Sequence, residues 1–295
     1  MKTLQFPLTE DGRVTLTAYI IDTSPEMSNW KQRPAVLVLP GGGYMMTSDR
    51  EADPVAFHYL SKGFHTFVLR YSVGVHAAFP APLIDVSRAM ALIRNYAEEW
   101  HLDDKRVAIC GFSAGGHLAA SLGTMWHEEQ IVQQAGIAPG TNEPNALILG
   151  YPVISCADDS EKRLEKMWEC AMGEQPYEQM QQQLSCELHV GSHTPPTFLF
   201  HTFADNVVPV EHSLLFSQAL AKHDIPFELH IYPNGVHGIS LANEITSTGR
   251  DNLVDRDVAG WVEQSSAWLW RLFGMYATSS AGNKQVDILS RAKLL

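Results

Sequence analysis

Ser113 stands in Gly111-Phe112-Ser113-Ala114-Gly115-Gly116, with one glycine two residues before it and another two after. The apolar run Arg106–Cys110 before it reads as a strand. The stretch from Leu118 to Met125 after it reads as a helix. Strand, turn and helix in that order are the setting of a nucleophile elbow. The glycines let the chain turn sharply and leave the serine exposed at a helix start. Free N–H groups and the positive end of the helix dipole there favour a developing oxyanion. The chemistry on offer is attack on a carbonyl carbon and transfer of the acyl group to the serine. A plain small-residue helix start is the bland alternative, and the flanking elements argue against it.

Acyl transfer needs at least two N–H donors aimed at the tetrahedral oxygen. One is expected from Ala114, the residue after the serine. Others are expected from Pro40-Gly41-Gly42-Gly43-Tyr44, which follows the apolar run Ala35–Leu39. This loop fills the role of an HGGG motif, with Pro40 in the place of the histidine. Gly42 and Gly43 are the expected donors. A phosphate-binding loop is the rival, but no Gly-Lys-Ser/Thr follows. Tyr44 is a candidate substrate contact beside the loop; otherwise it packs the loop.

The serine also needs a base, and the base an orienting acid. On an elbow of this kind the chain order is Ser, then Asp or Glu, then His. His237 lies in Asn234-Gly235-Val236-His237-Gly238, just after the apparent strand Phe227–Tyr232. Flanking glycines allow that loop to return the imidazole to the serine. His230 falls inside the strand, and His212 and His223 fall on a helix. Asp205 follows the strand Pro196–His201 and is the expected acid. Asp251, Asp255 and Asp257 come after the histidine. Asp85 precedes the serine and heads a helix, where a carboxylate suits the dipole. Asp158 and Asp159 belong to a polar insertion.

Those residues must be carried by a sheet. Residues 13–22 alternate Val14, Leu16, Ala18 and Ile20 against Thr15, Thr17 and Tyr19 as a half-buried strand, and His65–Tyr71 and Ala146–Ile154 read as further strands. Val86, Met90, Ile93, Ala97 and Trp100 recur at helical spacing, as do Val258, Trp261, Val262, Trp268, Leu269 and Leu272. Alternating strands and helices predict an α/β fold, with a mostly parallel central sheet, helices on both faces and an antiparallel N-terminal extension. No linker divides the chain, so residues 1–295 are expected to form a single domain. Residues 155–195 break the alternation with a polar, helical pattern carrying Met167 and Trp168. Asp158/Lys162 and Asp159/Arg163 there can pair at i,i+4. Lying between two strands, this insertion is expected to be a small helical cap, with Trp168 a candidate substrate contact. Residues 275–295 read as a C-terminal tail that either docks on a partner chain or trails.

The chain has 295 residues, 45% of them apolar, enough for a sizeable core. Its net charge of −12 argues against nucleic acid or an anionic membrane as partner. Cys110, Cys156, Cys170 and Cys186 show no CxxC or metal spacing and read as free thiols in a reducing compartment. The first residues lack the apolar core of a signal peptide, and no run approaches the roughly 18 apolar residues of a membrane span. The expectation is a cytoplasmic protein acting on a small-molecule ester without metal or organic cofactor, with a homo-oligomer left open.

Taken together, the glycine loop, Arg50-Glu51, Phe67-Val68-Leu69-Arg70-Tyr71, Gly111 to Ala119 and His237-Gly238 resemble bacterial α/β-hydrolase esterases. The group is that of the acetyl esterases and acetyl-xylan-esterase-like carbohydrate esterases. Thr194-Pro195-Pro196-Thr197-Phe198-Leu199-Phe200-His201-Thr202 and Val207-Val208-Pro209-Val210 fit the same group. The resemblance spans roughly residues 35 to 240. It implies an α/β-hydrolase fold and a serine carboxylesterase with Ser113, His237 and Asp205 as its triad. It also implies short acyl groups, acetyl above all, carried by a sugar. One departure is Ala204, where the group often has a second acid. Arg50 and Glu51 are expected to form an ion pair or to cap the next helix, and His117 to pack at a helix start. Two other readings stand beside this one: an amidase or peptidase of the same fold, and a non-catalytic hydrolase-fold receptor.

Overall fold

The computed structural model describes residues 1–156 and 161–275. The pairs expected at Asp158/Lys162 and Asp159/Arg163, and the tail beyond Met275, therefore lie outside the described residues. Among the described residues eight strands form one sheet. They are β1 (Lys2–Pro7), β2 (Thr15–Ile20), β3 (Arg33–Leu39), β4 (His65–Arg70), β5 (Leu102–Phe112), β6 (Ala146–Gly150), β7 (Thr197–Thr202) and β8 (Phe227–Tyr232). Their order in space is β1-β2-β4-β3-β5-β6-β7-β8. The β1–β2 and β2–β4 pairs are antiparallel and the rest are parallel. This is the mostly parallel sheet with an antiparallel N-terminal extension expected from the pattern.

The period of two along each strand divides its side chains between two cores. Val36, Val38, Val68, Cys110, Ile148, Phe198 and Phe200 face one side. There they meet α1 (Asp53–Ser61) through Val55 and Tyr59, and the C-terminal helix Trp261–Leu272 through Trp261, Trp268 and Leu269. Leu37, Leu39, Phe67, Ile109, Leu147 and Leu199 face the other side. They pack on α2 (Ala81–Asn95) through Val86 and Met90, beyond which lies the short α3 (Ala97–Trp100). The same core takes Leu118 and Leu122 of α4 (Ser113–Met125) and Ile131 of α5 (Glu129–Ala135).

The insertion between β6 and β7 contains α6 (Glu161–Met172) and α7 (Tyr177–Leu184). In α6, Leu164, Met167, Trp168, Ala171 and Met172 are all buried. That is one apolar stripe of a 3.6-residue period, and it joins the α2/α4 core while Glu165, Lys166 and Glu169 stay exposed. Beyond β7, α8 (Glu211–Lys222) adds Phe216 and Leu220 to the same core, and the helix Trp261–Leu272 is α9. Among the described residues no helix is long and apolar enough to cross a membrane.

Three expectations are corrected. The strand expected over Ala146–Ile154 stops at Gly150, because Tyr151 turns the chain with φ +35°. Asp85 does not head its helix: α2 begins at Ala81. The Asp85 carboxylate instead accepts the Ser72 N–H at 2.9 Å, so it braces the loop after β4. Arg50 and Glu51 form no ion pair. The Arg50 guanidinium donates to the Thr246 carbonyl at 3.1 Å, while Glu51 turns inward.

Candidate active site

β5 ends at Phe112 and α4 begins at Ser113, so the elbow has no linking residues. Ser113 takes up the turn with φ +52°, a left-handed conformation unusual for a residue with a side chain. It lies at the C-terminal edge of the parallel strands, where ligands bind in open α/β sheets. The loops after β3, β7 and β8 reach the same edge and bring the other expected residues to it.

The Ser113 hydroxyl lies 2.8 Å from Nε2 of His237, and Nδ1 of His237 lies 2.7 Å from Oδ2 of Asp205. Asp205 is a carboxylate here, so Nδ1 donates to it, and Nε2 is left to accept the serine proton. The other carboxylate oxygen accepts the backbone N–H groups of Val207 and Val208, both at 2.9 Å. Burial alone would raise the Asp205 carboxyl. The His201 and His237 imidazoles and the Val207 N–H more than offset it and hold the group well below the usual carboxylate range. His201 is fully buried, with Nε2 donating to the Val208 carbonyl at 3.0 Å and lying 3.6 Å from Oδ2 of Asp205. This arrangement can draw the proton from Ser113 and leave an imidazolium stabilised by an ionised acid.

The glycine loop presses against the elbow. A Cβ at Gly41 would lie 2.8 Å from the Phe112 carbonyl oxygen and 3.0 Å from Cβ of Ser113, so only glycine fits. The Gly41 N–H is occupied, donating to Oε2 of Glu51 at 2.9 Å. The N–H groups of Gly42, Gly43 and Ala114 have no acceptor among the described residues.

A model of the BD-FAE family matches residues 22–220. The chain belongs to the BD-FAE family. A Butyrivibrio fibrisolvens protein named endo-1,4-β-xylanase B is 36% identical over 220 residues, which is 72% of this chain and 33% of that protein. An acetylxylan esterase of Xylanibacter ruminicola is 30% identical over 267 residues, 88% of this chain and 50% of that one. This BD-FAE-family chain thus spans a third to a half of the length of those two relatives. Among solved structures, an α/β-hydrolase enzyme from a Medee basin deep-sea metagenome library is 39% identical. Its TM-score is 0.76, and the match covers 93% of this chain and 98% of that one. An acetyl ester-xyloside bifunctional hydrolase from Caldicellulosiruptor lactoaceticus is 35% identical, with TM-score 0.76 over 93% of this chain and 97% of that one. The α/β-hydrolase fold and the acetyl-xylan-esterase-like resemblance expected from the motifs are both borne out.

In this BD-FAE-family fold the two candidate substrate contacts, Tyr44 and Trp168, are 3% and 4% exposed. Both side chains are buried against His117. The Tyr44 hydroxyl lies 2.8 Å from Nδ1 of His117, whose Nε2 donates to the Leu184 carbonyl at 2.8 Å. Trp168 meets the His117 ring edge to face at 5.4 Å. The imidazole therefore joins the glycine loop to the insertion, a role broader than the helix-start packing expected of it. Sequence reasoning passed over Glu51, Tyr151 and His201 as parts of the site. Tyr151 was hidden inside an over-long strand. His201 could have been noticed as a histidine four residues before the acid.

Burial pushes the His117 imidazole down to about 4 and that of His65 also to about 4. His65 is buried at the start of β4, with Nδ1 accepting the Ile21 N–H at 3.1 Å. Above the unfolded value of roughly 6.5 both states are neutral and these groups contribute no pH dependence. Below it the unfolded chain takes up protons that the native protein refuses, so stability falls as pH drops from there toward 4. Burial raises the carboxyl of Asp85, which works in the opposite direction but is a single group. Urea unfolding at pH 7.0, 5.5 and 4.5 should show a net loss on the order of a few kcal/mol. Undiminished stability at pH 4.5 would exclude two neutral buried imidazoles.

Proposed function

We propose that this chain is a serine carboxylesterase that removes short acyl groups, chiefly acetyl, from carbohydrate esters. The observation that carries the reading is the continuous hydrogen-bonded run from Ser113 through His237 to Asp205, set on the elbow. As His237 takes its proton, Ser113 attacks the ester carbonyl. The Gly42, Gly43 and Ala114 N–H groups meet the oxygen as it becomes anionic. The imidazolium returns the proton to the leaving alcohol as the C–O bond breaks, which leaves an acyl-serine. Water, activated by the same imidazole, then attacks the acyl-serine and releases the acid. None of these steps calls for a metal or organic cofactor. The acetyl and sugar preferences are supported by relatives named acetylxylan esterase and acetyl ester-xyloside hydrolase.

The test is a chain-length series of p-nitrophenyl esters with a parallel series of amino-acid anilides at fixed pH. A pocket sized for acetyl rejects added methylenes, whereas a long apolar groove gains about 0.8 kcal/mol for each CH₂ it buries. The apolar stripe of α6 is spent on the core and its outer face is charged, which leaves no such groove on that helix. kcat/KM should peak at acetate or propionate and fall steeply by octanoate, with acetylated xylo-oligosaccharides accepted. A maximum at octanoate would make the protein lipase-like. Faster anilide than acetate turnover would favour the amidase or peptidase reading.

A further inference from the structure

The mechanism above leaves the deeply buried carboxyl of Glu51 unused. Glu51, on a short turn between the glycine loop and α1, is 2% exposed. Among the described residues no lysine or arginine lies within ion-pair range of it. A carboxyl so placed is costly unless its oxygens are satisfied by donors. Each oxygen takes one. Oε2 accepts the Gly41 N–H at 2.9 Å, and Oε1 accepts the Tyr151 hydroxyl at 2.6 Å.

The two donors lead to opposite sides of Ser113. Gly41 is wedged between the Glu51 carboxylate and Cβ of the serine, so anchoring its N–H orients the peptides that follow, those of Gly42 and Gly43. On the other side, the Tyr151 oxygen accepts the Ser240 N–H at 3.0 Å, and its ring meets the His237 imidazole edge to face at 5.2 Å. Ser240 in turn donates its hydroxyl proton to the Arg50 carbonyl at 2.6 Å, which closes the circuit on the residue before Glu51.

We propose that Glu51 is a positioning residue that sets the oxyanion donors and the base loop in register on either side of the nucleophile. This rests on the reading of Ser113 as nucleophile and of Gly42 and Gly43 as donors. A carboxylate suits the task because it offers two acceptors on one rigid plane. Glutamine offers one. Its amide oxygen must stay with Gly41, whose N–H cannot rotate, and its NH₂ then faces Tyr151, so the base-side arm loosens.

The experiment compares Glu51→Ala, Glu51→Gln and Tyr151→Phe with wild type, using only protein with a wild-type near-UV spectrum. Two rates are read: turnover of p-nitrophenyl acetate, and covalent capture of Ser113 by a fluorophosphonate, which senses the same geometry without an ester substrate. Glu51→Ala should lower kcat by about 100-fold, with KM changed by less than about threefold. Glu51→Gln and Tyr151→Phe should each lower it by about tenfold, with capture rates falling in the same order. Should Glu51→Ala not fold, the other two variants decide. Wild-type kcat and capture in folded Glu51→Gln and Tyr151→Phe, with only a lower Tm, would overturn the proposal and leave Glu51 a purely structural group. If wild type is captured at Ser113 but does not cleave acetate, the substrate reading fails, and the capture series still decides the role of Glu51. Absence of capture at Ser113 removes both the nucleophile reading and this proposal.

Discussion

Ser113→Ala should fold as the wild type does and lose its ester turnover almost completely. Alanine keeps the Cβ, so the left-handed backbone at φ +52° is no harder to hold than before. The helix below stays packed, because residues 113–125 are buried throughout by contacts that do not involve the hydroxyl. His237 loses one partner at 2.8 Å but keeps its bond to Asp205 and the ring of Tyr151 beside it. The site would keep its donors and its base and lack only the atom that forms the acyl bond. Residual rates near 10³–10⁴-fold over water are the expected remainder, from the oxyanion donors and binding alone. Urea unfolding alongside kcat/KM for p-nitrophenyl acetate makes the measurement. A folded variant with near-wild-type activity would place the nucleophile elsewhere.

Asp205→Asn should lower kcat by about 10⁴-fold while leaving KM little changed. The size follows from which way the amide must point. The Val207 and Val208 N–H groups both aim at Oδ1, so the amide oxygen is obliged to take that place. Its NH₂ then occupies the Oδ2 position, 2.7 Å from Nδ1 of His237. Two donors cannot face each other there, so the imidazole moves its proton to Nε2 and can no longer accept one from Ser113. The fold should survive, since the loop keeps its turn and loses only a buried charge. Asp158→Asn and Asp159→Asn, made for comparison, should leave kcat unchanged. An equal loss in either would move the acid to the insertion.

Ser113 and Asp205 were legible because each falls where a run of buried strand residues gives way to polar and small ones, whereas His237 follows the half-exposed edge strand β8 and stands out by its flanking glycines and the chain order. A central parallel strand such as β7 is buried along its whole length, so its end is sharp and Asp205 stands just beyond it. β1 was not anticipated. It is a short edge strand in which only Leu4 and Phe6 face the core, half-buried, with Phe6 against Tyr96 and Trp100, and two alternating apolar positions are too few to mark a strand in the sequence. The apolar run continues through Ile154 and so overstates β6, because the backbone turns at Tyr151. The same error concealed the tyrosine that touches His237. Arg50-Glu51 shows the deeper limit. Two adjacent opposite charges suggest a pair, yet which acceptor serves which donor depends on loops that meet only after folding.

The crowding at the elbow bears on how such sequences drift. A methyl group at Gly111 would come within 2.2 Å of the Gly115 carbonyl oxygen, and one at Gly115 within 2.2 Å of the Leu39 carbonyl oxygen and 2.4 Å of that of Pro40. Both glycines are set by the close seating of α4 on the ends of β5 and β3, whatever stands between them. A descendant could exchange Ser113 or His237 and keep α4 seated, but exchanging either glycine would unseat the helix. The glycines of the motif are therefore a record of architecture. A relative that keeps them and has lost the serine is a folded protein under a different selection, and counting it as an esterase by its glycines would be a mistake.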